Sequence, residues 1–317
     1  MFDGLTVALV LWLALATPAF AQETFSPAHT PDGHPDFQGV WGTRWTTPLE
    51  RMPDFKTLVI APEQGATLHL GILARLNSGD PLGTDYAWDF TGPLMIRGEV
   101  RSSVLVDPPD GKLPYTEEGR ARRSAFTTPF AGDEGPERRA PNERCLMAGS
   151  GYAPFLAIPA GNVRQIVQTR DSVVIHTESF NQLRLIPLDG RSGPLIPRGG
   201  SSAGRWDGDT LVVETGGYLE TDRFRIAPLS TFPISPVTRI TERFRMIGPD
   251  EILYRFTVDD PTLYTRAWTG ESLMKRTADR MFEFACHEGN YGLAGILSGA
   301  RETERRALAA RATKGSL

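Results

Sequence analysis

Glu242 and Arg266 stand out in this 317-residue chain because each falls on the apolar side of a stretch that alternates like a β-strand. Ile240, Glu242, Phe244 and Met246 would share one face; Tyr264, Arg266 and Trp268 would share another. A charge among such neighbours is costly unless it is paired, so the two are expected to pair with each other or to hold a polar group of a ligand. As a catalytic pair, Glu242 would move a proton while the guanidinium lowers its pKa or binds a substrate oxyanion. Tyr254 would add a phenolic donor from the face it shares with Ile252, Phe256 and Val258, and Tyr264 a second, although aromatics at alternate strand positions equally make core. His176 lies mid-strand in Val-Val-Ile-His-Thr-Glu, and His287 is followed by Glu288. Imidazole is the side chain best placed to shuttle protons near neutral pH. The competing reading makes His176 a surface or hydrogen-bonded core residue, and makes Gly289 and Asn290 a turn into the last helix. Together Glu242, Arg266, His176, Tyr254 and His287 describe acid/base chemistry of the lyase, isomerase or hydratase kind.

Other motifs are incomplete. His29 and His34, with Asp32 and Asp36, do not have the spacing of a zinc signature. The run Arg198-Gly-Gly-Ser-Ser-Ala-Gly-Arg205 is glycine-rich but lacks the lysine and the strand-to-helix context of a phosphate loop. Nucleophile-elbow, metalloprotease and dinucleotide fingerprints are missing too. No metal and no cofactor is therefore expected. The net charge of −4, with no basic block, argues against nucleic acid as a partner.

The elements that must position these residues change in character along the chain. Residues 22–161 read as an irregular region wrapping the core, rich in proline-led turns such as Pro31-Asp-Gly and Pro108-Pro-Asp-Gly. Within it, helices are expected over 62–76 and after Thr116, the second with Thr116 as cap and acids in its first turn. Short strands are expected near 40–45 and 103–106. From 162 to 297, runs rich in β-branched and aromatic residues recur between hairpin-type turns: 163–169, 173–178, 182–187, 204–206, 210–215, 238–246, 252–258, 263–269 and 281–286. This is the pattern of a mainly β protein, an antiparallel meander closing into a barrel of about eight strands. Residues 298–317 read as a C-terminal helix and tail.

Residues 1–21 read as a signal peptide: an apolar stretch from Leu5 to Ala16, too short to span a membrane, then Ala19-Phe-Ala21 as a cleavage site. Its n-region is off-pattern, carrying Asp3 and no Lys or Arg. The roughly 296 residues that follow are enough to bury a real core. No later stretch is apolar enough for a membrane span, so a periplasmic or secreted protein is expected. The two cysteines, Cys145 and Cys286, then read most simply as one disulfide, with a reactive thiol or two unpaired thiols as the alternatives.

Several segments carry a family likeness: Pro31-Asp-Gly-His-Pro-Asp-Phe-Gln-Gly-Val-Trp41, Val104-Leu-Val-Asp-Pro-Pro-Asp-Gly111, Gly204-Arg-Trp-Asp-Gly-Asp-Thr-Leu-Val-Val-Glu-Thr215, Thr257-Val-Asp-Asp-Pro261 and Ala285-Cys-His-Glu-Gly-Asn-Tyr291. They resemble the marker segments of a family of exported, largely uncharacterised bacterial proteins, a resemblance that implies export and no particular activity. Separately, Gly39-Val-Trp41 ahead of an antiparallel meander is similar to the lipocalin or calycin pattern, which implies a barrel. A barrel with an aromatic interior commonly holds one small apolar molecule. The expectation is therefore a small-molecule pocket inside a barrel, catalytic or not; the alternatives are a non-catalytic carrier and a structural envelope protein whose bore is filled by its own side chains.

Overall fold

The computed structural model describes residues 25–77, 90–127, 134–139, 143–146, 151–158, 161–195, 199–220, 224–227 and 230–314; the signal segment lies outside them. Nine strands form the staves: β1 (Gly39–Gly42), β6 (Val163–Gln168), β7 (Ser172–Thr177), β8 (Gln182–Pro187), β9 (Ser201–Asp207), β10 (Thr210–Gly216), β13 (Arg239–Gly248), β14 (Glu251–Asp259) and β15 (Trp268–Arg276). Their spatial order is β8-β7-β6-β1-β15-β14-β13-β10-β9, every neighbouring pair antiparallel. Followed around the wall, that order is chain order. The meander runs without a crossover, and its first stave pairs with its last, Trp41 opposite Arg276.

β1 comes from the irregular region expected to wrap the core, and inserts between β6 and β15. That region also supplies β5 (Leu105–Asp107), which adds to β15, and a small sheet of β2 (Val59–Ile60), β3 (Met95–Ile96) and β4 (Glu99–Arg101). Helix α1 (Pro62–Asn77) buries Leu68 and Ile72 against Ile60 and Val100 to make a satellite core. Helix α2 (Glu117–Thr127) starts where its cap places it, Thr116 Oγ1 accepting from Gly119 N at 3.0 Å. A hairpin, β11 (Phe224–Ala227) and β12 (Ser230–Pro233), leaves the wall between β10 and β13.

One seam interrupts the wall, because no ladder joins β8 to β9. Close approach of backbone and side chains bridges it instead. A Cβ at Gly204 would lie 2.7 Å from Ile186 Cγ2, and one at Gly193 would lie 2.5 Å from the Leu185 carbonyl oxygen, so both positions need glycine. Gly193 N donates to Ser202 O across 2.8 Å.

One expected strand starts late and another is not formed. The chain after β14 is wound by Asp260, whose Oδ1 accepts from Thr262 N and Leu263 N while its carbonyl accepts from Leu263 N and Tyr264 N. The strand expected over 263–269 therefore begins only at Trp268. Residues 281–286 also make no strand. Phe284 packs against Phe180 with the rings tilted and their centroids 4.6 Å apart, and Phe282 N donates to the Glu178 carboxylate rather than to a ladder. Helix α3 (Tyr291–Lys314) begins before the expected Ser298, with Asn290 Oδ1 accepting from Leu293 N.

Asp260 gives the fold an acid-sensitive point. Burial would raise its pKa, but hydrogen bonds from Ser235, Thr238 and Thr262 outweigh burial and hold the carboxyl below its usual range. Its stabilisation is therefore fully present above the unfolded carboxylate pKa of about 4 and is lost as pH falls through the depressed native value. Thermal melts in acid should show Asp260→Asn to be less stable than the wild type at neutral pH and to lose less on acidification; parallel pH profiles would remove this role.

Candidate functional site

The inward faces of β13 and β14 carry Glu242 and Tyr254 as the sequence pattern places them, both fully buried. The partner of Glu242 is not Arg266 but Arg184 of β8. Arg184 Nη1 donates to Glu242 Oε1 at 3.0 Å and Nη2 donates to Oε2, a two-pronged ion pair. The rest of the guanidinium is also committed, Nε to Ser202 Oγ at 2.8 Å and Nη2 to Thr215 Oγ1 at 2.6 Å. Tyr254 Oη donates to Glu242 Oε1 at 2.7 Å and accepts from Phe155 N at 3.0 Å. Burial, reinforced by the Glu242 charge and hydrogen bond, pushes the Tyr254 phenol well above 10. Burial disfavours the charged guanidinium, but Glu242 outweighs it and raises the Arg184 pKa further. Neither group changes protonation near neutral pH.

This network runs across β8, β9, β10, β13 and β14. It therefore bridges the seam that lacks a ladder, with side chains doing there what backbone pairing does elsewhere. It is saturated: every polar atom of Arg184 and the phenol of Tyr254 have partners within the fold.

The remaining candidates lie apart from it. Arg266, expected on an inward strand face, sits in the Asp260 turn, 54% exposed at its side chain, and pairs with Asp107. His176 points outward from β7, opposite Gln165 and Leu183. His287 is exposed in the turn before α3. Tyr264 is core, its hydroxyl donating to Pro233 O at 2.7 Å. His29 faces Asp209 at 3.6 Å, and His34 stacks on Trp206 at 4.5 Å. Among the described residues, no group of three or more His, Cys, Asp or Glu is placed to hold a metal ion.

Segment 151–158, unassigned by the sequence pattern, enters the bore. Phe155 is wholly buried against Phe244 and Tyr254, with the Arg164 guanidinium 4.4 Å over its ring and that of Arg184 5.6 Å away. Arg225 of β11 holds the segment through Ala153 O at 2.9 Å. At this level the chain's own phenylalanine occupies the place a ligand would take.

A groove of about 690 Å³ lies instead on the outer wall, beside the seam. Ser201 and Ala203 of β9, Glu214 and Gly216 of β10, Arg239 and Thr241 of β13, and Ser192 of the β8–β9 connection contribute to it. Its volume falls within the range of small-molecule sites, but its polar side chains differ from the apolar pocket expected.

The cysteines form the disulfide Cys145–Cys286, which closes a separation of 141 residues, and Asn290 Nδ2 donates to Glu143 O beside it. No helix among the described residues is long and apolar enough to cross a membrane. A nearly closed, antiparallel nine-stranded barrel with a plugged bore and a salt-bridged seam is thus the class of protein that fold and site define. No family model matches the chain, and a search of curated proteins found no relative.

Proposed function

We propose that this is an exported, non-catalytic small-molecule-binding protein, in which the barrel is a filled scaffold and the ligand lies in the outer groove beside the β8–β9 seam. One observation carries the reading: Phe155 and the saturated Arg184–Glu242–Tyr254 network occupy the interior where an apolar ligand or an acid/base site would be. General acid catalysis in the bore needs an acid that titrates near the working pH, and Tyr254, its pKa raised by burial, does not offer one. The disulfide and the N-terminal signal pattern support a periplasmic or secreted location, where such bridges persist. The marker segments support membership of the family of exported bacterial proteins they resemble.

The test is native mass spectrometry of protein purified from its own host, combined with Phe155→Ala. Truncating a buried phenylalanine should cost about 3–5 kcal/mol and open an apolar void in the bore. The wild type should exclude small apolar probes such as benzene from its interior, while Phe155→Ala admits them. A polar adduct on the wild-type protein that survives in Phe155→Ala supports the groove. An apolar adduct released by Phe155→Ala would return the site to the bore and sink this reading.

A further inference from the structure

Among the described residues that line the groove, Arg239 is the one cation, and none of them neutralises it. Arg239 stands at the start of β13, with Asp259 as its cross-strand neighbour on β14. Its guanidinium turns the other way and lies over Gly216, where a Cβ would collide with Nη1. Among the described residues it makes no hydrogen bond or ion pair, although Asp259 is one strand away. The acid in the groove lining is already committed, since Glu214 Oε1 accepts from Arg205 Nη1 at 2.8 Å. Around Arg239 the wall is small and hydroxylated: Ser192, Ser201 and Thr241, with the bare backbone of Gly216 beneath. Ser201 Oγ donates to Gly193 O at 2.5 Å, which fixes its position and leaves its lone pairs facing other donors.

A guanidinium presents a planar fork that matches a carboxylate or phosphate through two parallel hydrogen bonds, and hydroxyls beside it suit a hydroxylated ligand body. Among the described residues, no aromatic side chain lines this groove to stack an apolar ring. We propose that the groove binds a small, hydroxyl-rich oxyanion, a sugar acid or a sugar phosphate, with its anionic group on Arg239. The inference rests on the groove being the ligand site and adds the chemical class of the ligand.

The experiment titrates the full mature protein with D-glucuronate, D-glucose 6-phosphate and D-glucose at low ionic strength, reading calorimetric affinity and backbone amide shifts at Ser201, Gly216 and Thr241. At least one anion should bind about tenfold or more tighter than glucose, with shifts confined to the groove. Arg239→Met should remove that preference, Arg239→Lys should restore part of it, and added salt should weaken it. The side chain is exposed on an outer face, so both variants should keep the wild-type melting temperature. The phosphate and carboxylate arms identify which oxyanion fits. Groove shifts with equal affinity for glucose and both anions, unaltered in Arg239→Met, would overturn the anion inference while leaving the groove as the ligand site. A host-derived ligand that shifts residues elsewhere, with none of the three probes touching the groove, would overturn both.

Discussion

Glu242→Gln is expected to destabilise the protein by about 3–5 kcal/mol, because it leaves the buried Arg184 guanidinium without its counter-charge. For a chain of this length that corresponds to a fall in melting temperature on the order of 10 °C. The loss should have a location as well as a size. Arg184 joins β8 to Ser202 on β9, where no ladder exists, so amide protons of β8 and β9 should exchange faster than those of β13–β14. Replacing both partners by apolar residues, Arg184→Met with Glu242→Leu, should cost less than the sum of the single changes, since no unpaired charge remains. Arg266→Met, which removes an exposed ion pair with Asp107, should change stability by no more than about 1 kcal/mol. Equal losses from Glu242→Gln and Arg266→Met would contradict the assignment of the seam to Glu242.

Loss of the disulfide is the second large effect. Closing a separation of 141 residues removes about 5 kcal/mol of unfolded-chain entropy in the simple model, and measured losses for native bridges run to about 2–5 kcal/mol. Calorimetry with and without reductant should show a fall in melting temperature on the order of 10 °C. The Cys145→Ala/Cys286→Ala double variant should melt where the reduced protein melts and should not respond to reductant. If all three melted together, the bridge would be an ornament of the terminal arm and not a constraint on the fold. The same melts report on compartment, because a protein that depends on this bridge is suited to an oxidising one.

The wall of the barrel was legible because period-two alternation and hairpin turns are local signals. β13 and β14 match that alternation residue for residue, with Ile240, Glu242, Phe244 and Met246 inward. The partner of Glu242 was not legible. In β8 the alternation is inverted: Leu183 and Leu185 face outward, 59% and 38% exposed, while Gln182, Arg184 and Ile186 face in. An apolar-inward rule hides Arg184 by construction. The available signal was a balance of charge, since an inward carboxylate on one stave demands an inward cation on another. Arg266 was misplaced for a different reason. A single Asp side chain turned an alternating stretch into a loop, and such side-chain-to-backbone competition leaves no periodic mark. The plug was unreadable as well. Gly-Tyr-Ala-Pro-Phe-Leu-Ala-Ile has neither helical nor strand rhythm, and its place is set by contacts with residues about a hundred positions further on, such as Tyr254.

The pairing of the first stave with the last also dictates when the barrel can finish. β1 has partners on both sides, and one of them, β15, is among the last strands to exist in any chain that arrives N-terminus first. Hairpins such as β6–β7–β8 and β13–β14–β15 join near neighbours and can assemble early. Trp41 must wait for Arg276, at the cost of closing about three quarters of the chain into one loop. A protein built this way stays open for as long as its C-terminal third is missing. On the proposed route of export, that delay would keep the part already across from locking shut before the rest has followed.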